Sequence, residues 1–134
     1  MAVLQLVRAE WYAGRWQRAL EHAALARELG EQTQDPQFRG QTTHVIALLE
    51  SDLGRIDDAR THARDALGLA EAIGDEQTLI ETLTALGRLE LSLGNLRAAE
   101  EHLRQLPDRL LRTGHRMPGI RTVGRRHRGA RRPG

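Results

Sequence analysis

The sequence predicts an all-α fold: three stacked helical hairpins, about six helices, arranged as a repeat solenoid. Two observations carry that reading. The first is a short pattern that occurs three times, as Ala13-Gly14-Arg15-Trp16, Leu53-Gly54-Arg55-Ile56 and Leu93-Gly94-Asn95-Leu96, at a constant step of 40 residues. Other positions keep the same register: Leu6, Ile46 and Leu86; Glu10, Glu50 and Glu90; Ala19, Ala59 and Ala99; His22, His62 and His102. Self-similarity at a fixed period of roughly 20–50 residues marks a repeat architecture. The second is composition. Aromatic residues make up 3% of the chain, so a core has to be assembled from Leu, Ala, Val and Ile on helices that approach closely.

Each unit reads as one hairpin. Glycine ends its first helix, because it takes the left-handed conformation that a tight helix-to-helix turn needs. The apolar residue two places later (Trp16, Ile56 or Leu96) opens the second helix and is expected to pack back on the first. Small residues follow at 3–4-residue steps: Ala19, Ala23 and Ala26, then Ala59, Ala63 and Ala66. The third unit departs, with Leu103 and Leu106 at the second and third of these places.

In chain order, the first helix covers residues 1–12, with Val3, Leu4, Leu6 and Val7 apolar. No capping residue precedes it, so the chain is expected to begin in mid-repeat. The second helix runs from 16 to about 33. Asp35-Pro36 signals a new start, Asp as N-cap and Pro at the first helical position, and that helix extends to about 53. The fourth covers 56–73 with an unbroken stripe of Ile56, Ala59, Ala63, Ala66, Leu67, Ala70 and Ile73. Gly74-Asp75 combines a helix-ending glycine with an N-cap aspartate. A fifth helix follows over 76–93, and Asn95 is expected to cap a sixth that runs to about 112. Pro107 should kink that helix or end it early, since a mid-helix proline costs ~3 kcal/mol. The units thus lie near 1–35, 36–75 and 76–112.

Length and composition bound the rest. A chain of 134 residues is one domain by size. It holds no cysteine, which removes disulfides and thiolate chemistry and suits a cytoplasmic protein. No apolar run approaches the roughly 20 residues of a membrane span, and the N-terminus lacks the basic start of a signal peptide. The net charge of +2 hides an asymmetry: residues 1–108 sum to −7, and residues 109–134 carry nine arginines and no acid. From residue 113 on, apolar periodicity stops, and Arg, Gly and Pro dominate. Such a segment lacks the apolar side chains to offset the ~1–2 kcal/mol of entropy per ordered residue, so residues 113–134 are expected to be disordered. The composition is also that of GC-rich DNA read out of frame.

The repeated pattern of Gly14, Trp16, Ala19, Ala23 and Ala26, and of Gly54, Ile56, Ala59, Ala63 and Ala66, resembles the tetratricopeptide repeat (TPR), in a 40-residue form with a longer second helix. The resemblance implies a right-handed superhelix that works as a protein-interaction scaffold. The runs "ALLESDLGRIDDARTHARDALGLAEAIGD" and "LGRLELSLGNLRAAEEHLRQLPDRLLRTGHRMPG" are similar to the helical-repeat region of large ATP-binding LuxR-type transcriptional regulators of actinobacteria. Those regulators carry a nucleotide-binding module and a helix-turn-helix. This chain has no G-x-x-x-x-G-K-[ST] loop, having no lysine at all, and no helix-turn-helix pattern follows the repeats. The resemblance therefore implies a fragment or remnant of a regulator, without the ATPase and DNA-binding parts.

Candidate chemistry is sparse. His22, His62 and His102 fall at equivalent places on successive hairpins, on the order of 10 Å apart by helix packing, whereas a zinc ion needs its ligands at ~2 Å. The same spacing argues against acid–base work by Glu10, Glu50 and Glu90. These are read as repeated structural positions, His62 as a surface residue that carries little. Ser51 and Ser92 are the serines of the chain, and neither lies in a nucleophile context. No catalytic residue, cofactor or metal is expected. By analogy with tetratricopeptide packing, the first helices line a groove through Arg8, Trp11 and Tyr12, through His44, Leu48 and Asp52, and through Arg88, Leu91 and Ser92. Trp, Tyr and Arg are enriched at binding hot spots, which points to a protein or peptide partner of unknown identity. Self-association through uncapped repeat ends is a second expectation. Nucleic acid is expected only through the arginine-rich tail, where counterion release would drive sequence-independent binding.

Overall fold

A computed structural model describes residues 2–113. The expectation of a disordered tail falls, from residue 114 on, outside the described residues. Within them the chain is all-helical: α1 (Ala2–Tyr12), α2 (Trp16–Thr33), α3 (Pro36–Asp52), α4 (Ile56–Ile73), α5 (Glu76–Ser92), α6 (Leu96–Leu103) and α7 (Leu106–Thr113). Three hairpins form, α1–α2, α3–α4 and α5–α6. The first helices pack in series, α1 on α3 and α3 on α5, and each second helix also lies on the first helix of the next hairpin. That stacking is the predicted all-α solenoid of three hairpins.

The three turns between paired helices are the same turn. Gly14, Gly54 and Gly94 have φ of +80°, +79° and +79°. In each, the residue after the glycine donates its N–H to the carbonyl of Glu10, Glu50 or Glu90, at 2.8 Å every time. Only glycine takes that φ without strain. At the ends of the second helices the solutions differ. Gly74 holds φ +70° after α4, and Gln34 holds φ +54° after α2.

The N-caps of α3 and α5 follow the sequence. Asp35 accepts from the N–H groups of Gln37 and Phe38, with Pro36 opening the helix, and Asp75 accepts from Thr78. Asn95 is a correction: it stands at the N-cap of α6, but its side chain makes no capping bond there and donates to the Glu90 carboxylate at 2.9 Å. Leu96, expected to pack back on α5, is 68% exposed. Pro107 breaks the sixth helix as expected. The chain turns at Arg104 and Gln105, and Pro107 then falls in the first turn of α7, where its missing N–H costs nothing.

The core matches the small-residue stripe. Ala19, Ala23, Ala26, Ala59, Ala63, Ala66, Ala70 and Ala99 are buried, interleaved with Val7, Val45, Leu49, Leu83 and Leu86. The third hairpin restores its packing by exchange: where α3 and α4 oppose Ala47 to Ala63, α5 offers Gly87 to Leu103. A Cβ on Gly87 would meet Leu103 Cδ2 at 2.3 Å and Cγ at 2.5 Å. The equivalent apolar positions Ile46 and Leu86 are 5% and 2% exposed beneath a preceding hairpin, and Leu6 is 47% exposed.

The two ladders meet each other. Glu10 and Glu50 are buried, and their carboxylates bond His22 Nδ1 and His62 Nδ1 in the same hairpin. Arg27 Nη1 lies 3.2 Å from His62 Nε2. Guanidinium can only donate, so Nε2 accepts and Nδ1 carries the proton given to Glu50. His62 is therefore a partly buried link between two hairpins, which corrects its reading as an idle surface residue.

Candidate functional site

The space between α3 and α5 is a groove of about 460 Å³. It exists because the facing positions are small. Ala47 and Ala85 line it from the two first helices, with Ala59 and Ala63 of α4 beneath. Leu48, Ile80 and Leu89 complete an apolar lining, and Trp11 of α1 closes one side. Trp11 is held in place: its ring stacks on Tyr12 at 5.9 Å, and its carbonyl accepts from Trp16 Nε1 at 3.2 Å.

The polar lining is of two kinds. Ser92 and Thr84 are satisfied internally, donating to the carbonyls of Leu89 at 2.7 Å and Ile80 at 2.8 Å. His44 is buried, with Nδ1 3.0 Å from Thr82 Oγ1. Burial first, and then the charge of Arg8, lower its pKa to about 4, so the ring is neutral at pH 7. Glu81, Asp52 and Arg88 are different: none forms an ion pair or side-chain hydrogen bond among the described residues. Burial raises the pKa of Glu81; Arg8 pulls it back and Asp75 pushes it up further. These three charges ring an apolar floor with unspent hydrogen-bonding capacity.

Six of the predicted groove residues come together here: Trp11, His44, Leu48, Asp52, Arg88 and Ser92. Three do not line it. Tyr12 is 83% exposed and serves as a stacking partner, Leu91 is 48% exposed, and Arg8 reaches the site only through its charge on His44 and Glu81. The reason is that the groove lies between two first helices and not along all three. Sequence reasoning missed Ala47, Ser51, Glu81, Thr84 and the floor alanines. Ala59 and Ala63 carried a signal, the small-residue stripe, which was read only as close helix packing.

The arrangement suits recognition. The one histidine in the groove is bonded to Thr82, which is not part of the lining. Among the described residues no group of three His, Cys, Asp or Glu side chains is disposed to hold a metal. The family model described as tetratricopeptide repeat matches residues 38–106, just over half of the chain.

The chain belongs to the tetratricopeptide repeat family. The match starts at Phe38 in α3 and ends at Leu106, the first residue of α7, so it spans the two hairpins that form the groove. No curated protein and no solved structure matches the chain. Tetratricopeptide repeats are scaffolds for protein–protein interaction. No described helix of this tetratricopeptide repeat chain is long and apolar enough to cross a membrane.

Proposed function

We propose that this tetratricopeptide repeat chain binds a segment of a partner protein in the α3–α5 groove, acting in the cytoplasm as the repeat part of a bacterial transcriptional or signalling regulator. One observation carries the binding site: an apolar, alanine-floored groove whose rim charges Asp52, Glu81 and Arg88 have no partners within the described fold. Burying apolar surface gives roughly 25 cal/mol per Å², and the rim then selects by charge. Trp11 and Arg88 are the residue types that dominate hot spots. The likeness of residues 47–75 and 86–119 to LuxR-type regulators supports the origin.

The test is selection of peptides from a displayed random library against the whole chain. Leu48→Glu and Arg88→Ala should abolish capture, and Arg64→Ala on α4, away from the groove, should leave it intact. Capture indifferent to both groove variants contradicts the reading. The seven arginines of residues 113–134 favour a second reading, sequence-independent nucleic-acid binding. A mobility shift that needs those arginines and collapses with salt would support it.

A further inference from the structure

His44 is 5% exposed, and its ring keeps one hydrogen-bonding group unspent. Its Nδ1 meets Thr82 Oγ1 at 3.0 Å. Thr42, Thr43 and Thr84 donate their hydroxyls to the carbonyl four residues back in their own helix. Thr82 does not: it is fully buried, and His44 Nδ1 is the one side-chain partner it has among the described residues. A buried hydroxyl left without an acceptor is costly, so Thr82 donates and Nδ1 accepts. The neutral ring holds one proton, and that proton is then on Nε2. This is the opposite tautomer to His62, whose Nε2 accepts from Arg27. No fully buried side-chain nitrogen or oxygen lacks a partner among the described residues. Nε2 has none, so it is not sealed in, and the surface that His44 lines is the α3–α5 groove.

We propose that His44 is a binding residue, its Nε2–H donating to a main-chain carbonyl of a partner segment that lies extended between α3 and α5; this rests on the groove being the binding surface. The charges around the ring decide for a neutral acceptor. Arg88, Asp52 and Glu81 line the groove, and Arg8 acts on His44 through its charge. Two cations and two anions cancel, so neither a carboxylate nor a cation is favoured at the ring. The walls beside it, Ala47, Leu48 and Ile80, are apolar. A helical occupant uses its carbonyls internally except in its last turn, and would cover Nε2–H without meeting it. An extended segment keeps its carbonyls free. From Ile80 to Leu89 α5 rises about 14 Å, room for about four extended residues at ~3.3 Å each. Thr82, outside the lining, acts as a positioning residue: its hydroxyl fixes the tautomer that turns the donor toward the groove.

The test uses the whole chain, free and with a peptide selected from the displayed library. In the free chain, nitrogen–proton correlation of the histidine rings at pH 7 should place the His44 proton on Nε2 and the His62 proton on Nδ1. A His44 proton on Nδ1 overturns the proposal. With peptide, each main-chain carbonyl is replaced in turn by an alkene isostere. One replacement should weaken binding about tenfold, the worth of one hydrogen bond. It should cost nothing against His44→Phe/Thr82→Val, which removes the bonded pair together and leaves no buried hydroxyl unmet. The same loss in both proteins, or a His44-dependent loss that follows a peptide side chain and no carbonyl, overturns the proposal. If binding needs Leu48 and Arg88 while every carbonyl is dispensable, the groove stands and the His44 anchor is lost. If no peptide needs Leu48 or Arg88, both fall.

Discussion

Arg60, on the second helix of the middle hairpin, donates Nε and Nη2 to the two carboxylate oxygens of Glu90 on the third hairpin, each at 2.9 Å. Glu90 occupies the repeat position of Glu10 and Glu50, whose histidine partners lie within their own hairpins. In the third unit the same buried carboxylate becomes a tie between hairpins.

This tie makes stability depend on acid. The Arg60 hydrogen bonds, aided by Asn95, hold the Glu90 pKa at about 2 against an ordinary 4.5. A carboxylate with a depressed folded pKa stabilises the fold above its unfolded pKa and loses that contribution as pH falls through the folded one. Melting midpoints should therefore drop between pH 4.5 and 2, and Glu90→Gln should flatten that part of the curve while lowering the midpoint at pH 7. An unchanged curve would mean that the tie carries no stability.

His44 adds a second, higher window. Its pKa is lowered to about 4 from 6.5, so the neutral ring stabilises the fold fully above pH 6.5, and the contribution is lost as pH falls toward 4. Between pH 7.5 and 5 the loss is about 2 kcal/mol. Histidine NMR signals should show one ring that stays neutral at pH 5, and His44→Gln should remove the loss in that range. A ring titrating near 6.5 would contradict its burial.

Gly54→Val and His62→Ala should both be harmful, for different reasons. At φ +79° the glycine has open space around it, so valine meets no neighbour but pays backbone strain of roughly 1–3 kcal/mol. Alanine at 62 leaves the buried Glu50 carboxylate without its histidine, a cost of roughly 1–3 kcal/mol. Urea melts check both, and Glu50→Gln should restore much of the His62→Ala loss. No restoration would place the cost elsewhere.

Much of this fold was legible because the code is local. The glycine at each turn, Asp35-Pro36, Gly74-Asp75 and Pro107 all act within a few residues of themselves; the helix ends follow the first three to within a residue or so, and α6 ends at Leu103, four residues before Pro107. What was not legible depends on which helix faces which. Glu50 and His62 are twelve residues apart on two helices, so each ladder was visible but their pairing was not. Leu103 looked like a departure until Gly87 supplied its room. The groove residues on α3 and α5 were half found, since a shared register position says nothing about whether the neighbouring helix stands close or leaves a gap.

The exchange of size between Gly87 and Leu103 is testable by a double-mutant cycle. Gly87→Ala pushes a methyl into Leu103 and should cost about 1–3 kcal/mol, despite alanine's better helix propensity. Leu103→Ala should cost about 2 kcal/mol on its own. Together they recreate the Ala47–Ala63 pair of the middle hairpin, so the double variant should be no worse than Leu103→Ala. Simple additivity would mean that the two residues do not touch.

The most direct measurement is an NMR titration of the whole chain with a peptide selected from the displayed library. The α3–α5 groove predicts the largest shifts at the amides of Ala47, Ser51, Ala85 and Arg88 and at the Trp11 indole. Shifts confined to the opposite surface, around Arg27, Glu31 and Arg64, would contradict it.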